Sequence, residues 1–237
     1  MKRANQKPDL LVLDLMNTIM FSHDRFGPQE NYWPIYRFLG GAWLSEEVLR
    51  RIIDTSVQNM EEDYEKPEKQ IRFPVAMDYM LQEAAASGLS LALGDRIALN
   101  LTFAFQETGL IDDLHKQCLR MLSGRFRIVV LSNLWGIPYF CNRIFSSPDL
   151  AGLVEGLHYS SEIGMLKPSR EIFEFVLQKH HCQPEQCLMI GDNLNTDIAG
   201  ARKAGIDGIW LSYGRSAPNN VEHRLDFPDA TESLLNL

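Results

Sequence analysis

Short, continuous apolar runs alternate along the chain with longer stretches of helical periodicity. Leu10-Leu11-Val12-Leu13 runs straight into Asp14, Ile128-Val129-Val130-Leu131 into Ser132 and Asn133, and Leu188-Met189-Ile190 into Gly191 and Asp192. A short apolar run bounded by turn signals reads as a strand buried on both faces, the kind found in parallel sheets. Gly156 to Ser160 and Gly208 to Leu211 read as two further strands. Between them lie helical patterns: Ile111 to Leu122, Gly136 to Phe145, Pro168 to His180 with Pro in its first turn, and the small-residue segment Asp197 to Ala204. Strands alternating with helices predict a doubly wound, Rossmann-like α/β core with a parallel sheet.

From about Gln29 to Thr108 the texture is helical throughout. Ser45 followed by Glu46 and Glu47 marks a helix start. Pro74 to Ser87 and Leu93 to Glu107 predict two more helices, while Glu61 to Lys69, broken by Pro67, reads as a charged, solvated loop. A helical block between the first and second strands suits an inserted cap.

Composition narrows the partners. A 237-residue chain with 45% hydrophobic and 23% charged residues is globular, and its formal charge of -8 argues against nucleic acid. It does not exclude a small phosphorylated substrate, because a bound cation inverts the local charge. The first apolar run is cut by Asp14 almost at once, too early for a signal peptide or membrane span. A cytoplasmic protein with reduced thiols is the expectation, since Cys118, Cys141, Cys182 and Cys187 form no CxxC pair. His180-His181-Cys182 with Cys187 lacks the spacing of a zinc module.

In open α/β sheets ligands bind just beyond the carboxyl ends of the strands. Asp14, Ser132 with Asn133, and Asp192 occupy such ends and are expected to converge. Two carboxylates in one crevice repel unless a hard cation sits between them. Mg²⁺, which prefers oxygen ligands, is the expected cofactor, with Asp14 and Asp192 as direct ligands. Lys167, just before Pro168-Ser169, supplies a cation for phosphate and offsets the acids.

Taken in order, Asp14 to Thr18, Ser132-Asn133, Lys167-Pro168 and Gly191-Asp192 to Asp197 resemble the four motifs of the haloacid dehalogenase-like (HAD) hydrolase superfamily, most of whose members are Mg²⁺-dependent phosphatases. The resemblance implies a core of residues 1–20 and 109–237 with a helical cap of residues 21–108. It implies that Asp14 attacks phosphorus and forms an aspartyl phosphate, and that the backbone carbonyl of Met16 is the third metal ligand. Thr18, Ser132, Asn133 and Lys167 would meet the substrate, and Asn193 and Asp197 would order the metal loop or hold metal-bound water. A flap carrying His23 and Asp24 would follow the first motif; as residues, both read as a solvated turn.

One position departs from the pattern. Phosphatases of this superfamily carry Asp where this chain has Met16, and that Asp protonates the leaving group. General acid–base help is worth about 10²–10⁴-fold. Three readings follow: a phosphatase restricted to good leaving groups or using a substitute acid such as His23; a dehalogenase- or phosphonatase-type hydrolase; or a non-catalytic regulatory protein that binds phosphate and metal. The identity of the substrate and the oligomeric state are not legible from the chain.

Overall fold

The computed structural model describes residues 7–237; the basic N-terminus and the start of the expected 1–20 core segment lie outside the described residues. The chain opens with β1 (Leu10–Leu13), every residue of which is buried. A helical segment follows: α1 (Trp33–Phe38), α2 (Glu46–Tyr64), α3 (Ala76–Ala86) and α4 (Leu93–Glu107). Ser45 caps α2 by accepting from the Val48 N–H, and Glu46 and Glu47 occupy its positive end. The helix runs on through Glu61 to Tyr64, so the charged segment begins as helix and becomes irregular only near Pro67. This segment has its own hydrophobic cluster, built on Tyr36, Leu49, Ile52, Ile53, Met80 and Phe103.

The α/β part resumes with α5 (Asp113–Ser123) and β2 (Arg127–Ser132), then α6 (Tyr139–Phe145), β3 (Gly156–Tyr159), α7 (Ser160–Ile163), α8 (Arg170–Lys179) and β4 (Cys187–Gly191). A π-helical turn over Leu194–Ala199, α9 (Gly200–Lys203), β5 (Asp207–Leu211), β6 (Glu222–Arg224) and α10 (Phe227–Leu235) complete it. Helix α8 begins at Arg170, so Pro168 lies ahead of the cap residue Ser169 rather than in the first turn. The small-residue stretch near Asp197 opens as a π turn and becomes an α-helix only at Gly200.

All six strands are parallel, in the order β3-β2-β1-β4-β5-β6. This is a doubly wound, Rossmann-like parallel sheet, buried on both faces by two apolar clusters. The chain builds outward from β1 to β3, then returns across it to build β4 to β6. The switch point therefore falls between β1 and β4, where a ligand crevice is expected. Leu13 is level with Val130 on one side and Ile190 on the other, so Asp14 leaves the sheet beside the ends of β2 and β4. Among the described residues no helix is long and apolar enough to cross a membrane.

Candidate active site

Beyond those three strand ends lies a cavity of about 390 Å³, lined from the sheet side by Asp14, Ser132, Lys167, Asp192 and Asp197 and from the helical side by Phe26, Val57, Glu61 and Tyr64. Asp14 is held by its backbone N–H, which donates to the Ile190 carbonyl at 2.9 Å, and by the Thr18 hydroxyl, which donates to Oδ2 at 3.1 Å. The Lys167 ammonium donates to Asp14 Oδ1 at 2.6 Å and to Asp197 Oδ1 at 2.8 Å, with only 2% of its side chain exposed. Carboxylate oxygens of Asp14, Asp192 and Asp197 all lie within 4.8 Å of one another.

The three acids are not equivalent. Asp197 is committed: one oxygen accepts from Lys167 and the other from the Asn193 N–H at 3.0 Å. It packs so closely on Gly191 that a Cβ there would overlap the carboxylate. The main chain of Asp192 is pinned, its carbonyl accepting from Trp210 Nε1 at 2.9 Å and Arg215 at 2.8 Å. No side chain among the described residues donates to the Asp192 carboxylate, which leaves its oxygens free for a cation. Met16 lines the same cavity, and its carbonyl likewise accepts no hydrogen bond among the described residues.

Electrostatics agree with a missing positive charge. Burial pushes the Asp14 carboxyl up to about 7 despite the pull of Lys167. Burial, then the neighbouring Asp197, pushes Asp192 up to about 6. Burial works against the Lys167 charge, yet Asp14 and Asp197 together hold its pKa above the ordinary lysine value. Three carboxylates share one ammonium, and the oxygen donor set suits a hard divalent ion such as Mg²⁺. Ser132 is 1% exposed and lines the cavity, yet its hydroxyl has no hydrogen-bond partner among the described residues. A buried hydroxyl without a partner is costly, and an anionic oxygen would satisfy it.

Thr18 and Asn133, expected to meet substrate, also hold the site together, and Asn133 lines the cavity. Thr18 is fully buried behind Asp14 and orients that carboxylate. The amide of Asn133 accepts from the Lys167 N–H and donates to the Lys167 carbonyl, both at 2.8 Å, while also donating to Tyr64. It clamps the lysine loop, and little of its hydrogen-bonding capacity remains for a ligand. Asn193 accepts from the backbone of Asn195 and Thr196, capping the turn that carries Asp197.

The structure adds Glu107, Tyr64 and Trp135 to the cavity, which the sequence pattern did not single out, and it moves His23 into it. Glu107, at the end of α4, is buried and accepts from the N–H groups of Trp135 and Gly136 at 2.6 and 2.8 Å, bracing the loop after β2. Burial, then Asp24, pushes its carboxyl up to about 8. Its position was implicit in the periodicity of α4, where it lies four residues after buried Phe103 and eight after Leu99. Tyr64 and Trp135 form an aromatic wall, their ring centroids 6.0 Å apart. His23 is not a solvated turn residue: its side chain is 11% exposed and lines the cavity beside Asp14 and Met16.

Comparison with known proteins agrees with this geometry. Residues 165–235 match the HAD-hydrolase-like family model. Over 76 residues the chain is 33% identical to a glyceraldehyde 3-phosphate phosphatase of Pyrococcus furiosus, 32% of each chain being covered. Over 108 residues it is 31% identical to a phosphoglycolate phosphatase of Colwellia psychrerythraea, covering 46% of each. The chain thus spans less than half the length of these curated relatives. The fold matches a 2-haloacid dehalogenase of Pseudomonas syringae with a TM-score of 0.67 at 18% identity, over 97% of this chain and 99% of that one. It also matches a HAD family enzyme of Bacteroides thetaiotaomicron, solved with magnesium and inorganic phosphate, with a TM-score of 0.57 at 17% identity, over 88% of this chain and 96% of that one. The family model and these relatives thus match parts of the chain, and the solved structures show that the fold as a whole is that of HAD-like proteins.

Proposed function

We propose that this chain is a Mg²⁺-dependent phosphatase acting on a small phosphorylated molecule through an aspartyl phosphate at Asp14. The observation that carries the reading is the free Asp192 carboxylate beside Asp14, in a cavity that also presents a partnerless serine hydroxyl and a buried ammonium. Asp14, Asp192 and the Met16 carbonyl would hold the cation. When bound, Mg²⁺ neutralises the acids and the charge on the phosphoryl group.

The chain's own groups do the rest. Thr18 orients the carboxylate of Asp14 for in-line attack on phosphorus. Lys167 and Ser132 donate to the equatorial oxygens as charge spreads over them. The P–O bond to the leaving group breaks as the bond to Asp14 forms, and water then releases phosphate. We read residues 21–108 as a cap: they have a separate apolar cluster, their ends meet where Phe21 pairs with Leu110, and they contribute Phe26, Val57, Glu61 and Tyr64 to the cavity. Such a cap excludes water and meets the body of the substrate.

A dehalogenase reading draws on Met16 and on the dehalogenase fold match. Charge weighs against it. Without a cation, the carboxylate of a 2-haloacid would meet three acids whose oxygens lie within 4.8 Å of one another, whereas the charge of a phosphate ester would be offset by the cation those acids would hold. The test is to supply 4-nitrophenyl phosphate, acetyl phosphate and 2-chloropropionate, each with Mg²⁺ and with chelator. Phosphate release that needs Mg²⁺ and disappears in Asp14→Asn supports the proposal. Chelator-resistant halide release supports the dehalogenase, and binding of phosphate without turnover of any substrate supports a regulatory protein.

A further inference from the structure

The flap after β1 is built against local backbone preference. Asn17, Ser22 and Asp24 all have positive φ, at 54°, 57° and 51°, although none is glycine. Conformations of this kind are unfavourable for a residue with a Cβ and persist only where the surroundings enforce them. Here the surroundings do so. Phe21 exchanges backbone hydrogen bonds with Leu110, and the Arg25 guanidinium donates to the carbonyls of Ser22, Phe105 and Thr108. The Tyr213 hydroxyl, from the loop after β5, donates to the Asn17 carbonyl at 2.7 Å.

What this strain holds in place is an imidazole. His23 Nδ1 lies 2.7 Å from Asp24 Oδ2, and Nε2 lies 3.0 Å from Asn17 Oδ1. Both partner atoms are oxygens, an arrangement that suits a ring carrying hydrogen on both nitrogens, and the acids around it hold its pKa above the ordinary histidine value. The ring lines the same cavity as Asp14 and as Met16, the position whose side chain can give no proton.

We propose that the His23–Asp24 pair is the proton donor that position 16 lacks, with His23 as the acid and Asp24 as the residue that orients it and holds its proton. The inference rests on the phosphatase reading above. In the first step the Asp14–P bond forms, the P–O bond to the leaving group breaks, and the Nε2 proton of His23 passes to the departing oxygen. In the second, neutral His23 takes a proton from the water that attacks the aspartyl phosphate, so that phosphate leaves and the imidazolium is restored. Asp24 on the flap, Asp14 after β1 and Asp192 after β4 all favour the protonated ring over the opposing effect of burial, and Glu107 faces Asp24 from the end of α4. Asn17 would exchange its hydrogen bond for the leaving oxygen's as substrate enters.

The experiment compares two leaving groups, 4-nitrophenyl phosphate and glycerol 2-phosphate, with Mg²⁺, in the parent chain and in His23→Gln and Asp24→Asn. An alkoxide needs a proton and a nitrophenolate does not. His23→Gln is expected to lower the first-turnover rate of alcohol release from glycerol 2-phosphate on the order of 10²-fold, while the first-turnover release of nitrophenolate changes little; the later hydrolysis of the aspartyl phosphate, common to both esters, should slow equally for both. Asp24→Asn should shift the alkaline limb of the glycerol 2-phosphate profile to lower pH, because the imidazolium is then less well held. Equal losses in the first-turnover release of the two leaving groups, or none in either, overturn the assignment of the proton donor. A parent chain that releases phosphate from neither ester overturns the phosphatase reading itself.

Discussion

Replacing Lys167 with methionine removes one buried charge and leaves two behind. The ammonium touches Asp14 and Asp197 at 2.6 and 2.8 Å with its side chain 2% exposed, so solvent cannot take over its role. Removing one partner of a buried ion pair costs about 3–5 kcal/mol, because the remaining charge is left uncompensated. At roughly 2–4 °C per kcal/mol for a chain of this size, Lys167→Met should melt about 6–20 °C below the parent at pH 8 without metal. The deficit should depend on pH. In the parent, Lys167 has a folded pKa above its ordinary 10.5, so its stabilisation is complete below that value and constant between pH 5 and 8. Asp14 has a folded pKa raised from 3.8 to about 7, so the folded state binds more protons than the unfolded one across that interval, and stability falls as pH rises. Loss of Lys167 drives the Asp14 value higher and steepens the fall. Urea or thermal melts of both proteins at pH 5 and pH 8, with chelator, should show the deficit shrinking toward about 1–2 kcal/mol at pH 5, the level of the lost hydrogen bonds. A deficit independent of pH, or one below about 1 kcal/mol at pH 8, would refute the view that this ammonium neutralises the acids.

Met16→Asp should raise turnover of glycerol 2-phosphate, most of all in the His23→Gln background, where the gain approaches about 10²-fold; steady-state kinetics measure it, and no gain in a folded variant counts against the placement of position 16. Glu107→Gln keeps one acceptor for two backbone N–H groups and should destabilise by about 1–3 kcal/mol at pH 6. Because the parent carboxyl is raised from 4.5 to about 8, the parent loses stability as pH climbs through that range, so melts at pH 9 should show a smaller gap. The cavity is lined by Asp14, Asp24, Glu61, Glu107, Asp192 and Asp197 against Lys167 and His23. A phosphate ester with a neutral body should therefore exceed phosphoglycolate in kcat/KM by about tenfold or more, and equal values would show that this lining does not select by charge.

The sheet and the core of the site were legible in the chain for one physical reason. Strands buried on both faces are written as unbroken apolar runs, and the first polar residue after each marks its carboxyl end, as at Asp14, Ser132 and Asp192. Strand β6 was not legible, since Glu222–Arg224 is short and polar at the sheet edge. The roles of Thr18 and Asn133 depend on hydrogen bonds to residues far along the chain or one turn away, which residue type alone does not fix. His23 was read as a turn residue because its neighbours Ser22, Asp24 and Arg25 are polar. The flap that carries it is held by the end of α4, through Arg25, and by the loop after β5, through Asn17, contacts separated by more than eighty residues. Asp197 is a different case: it falls in the expected loop, but its commitment to Lys167 and Asn193, and so the freedom of Asp192, emerges only from distances.

The covalent step at Asp14 is the claim on which the account depends, and it can be caught directly. The protein is mixed with acetyl phosphate and Mg²⁺, quenched in acid within the first turnover, digested, and its peptides weighed. The account predicts that the peptide containing Asp14 gains the mass of one phosphoryl group, that Asp14→Asn abolishes the gain, and that chelator prevents it. Phosphate released with Asp14 never modified, or a modified peptide from elsewhere in the chain, would contradict it.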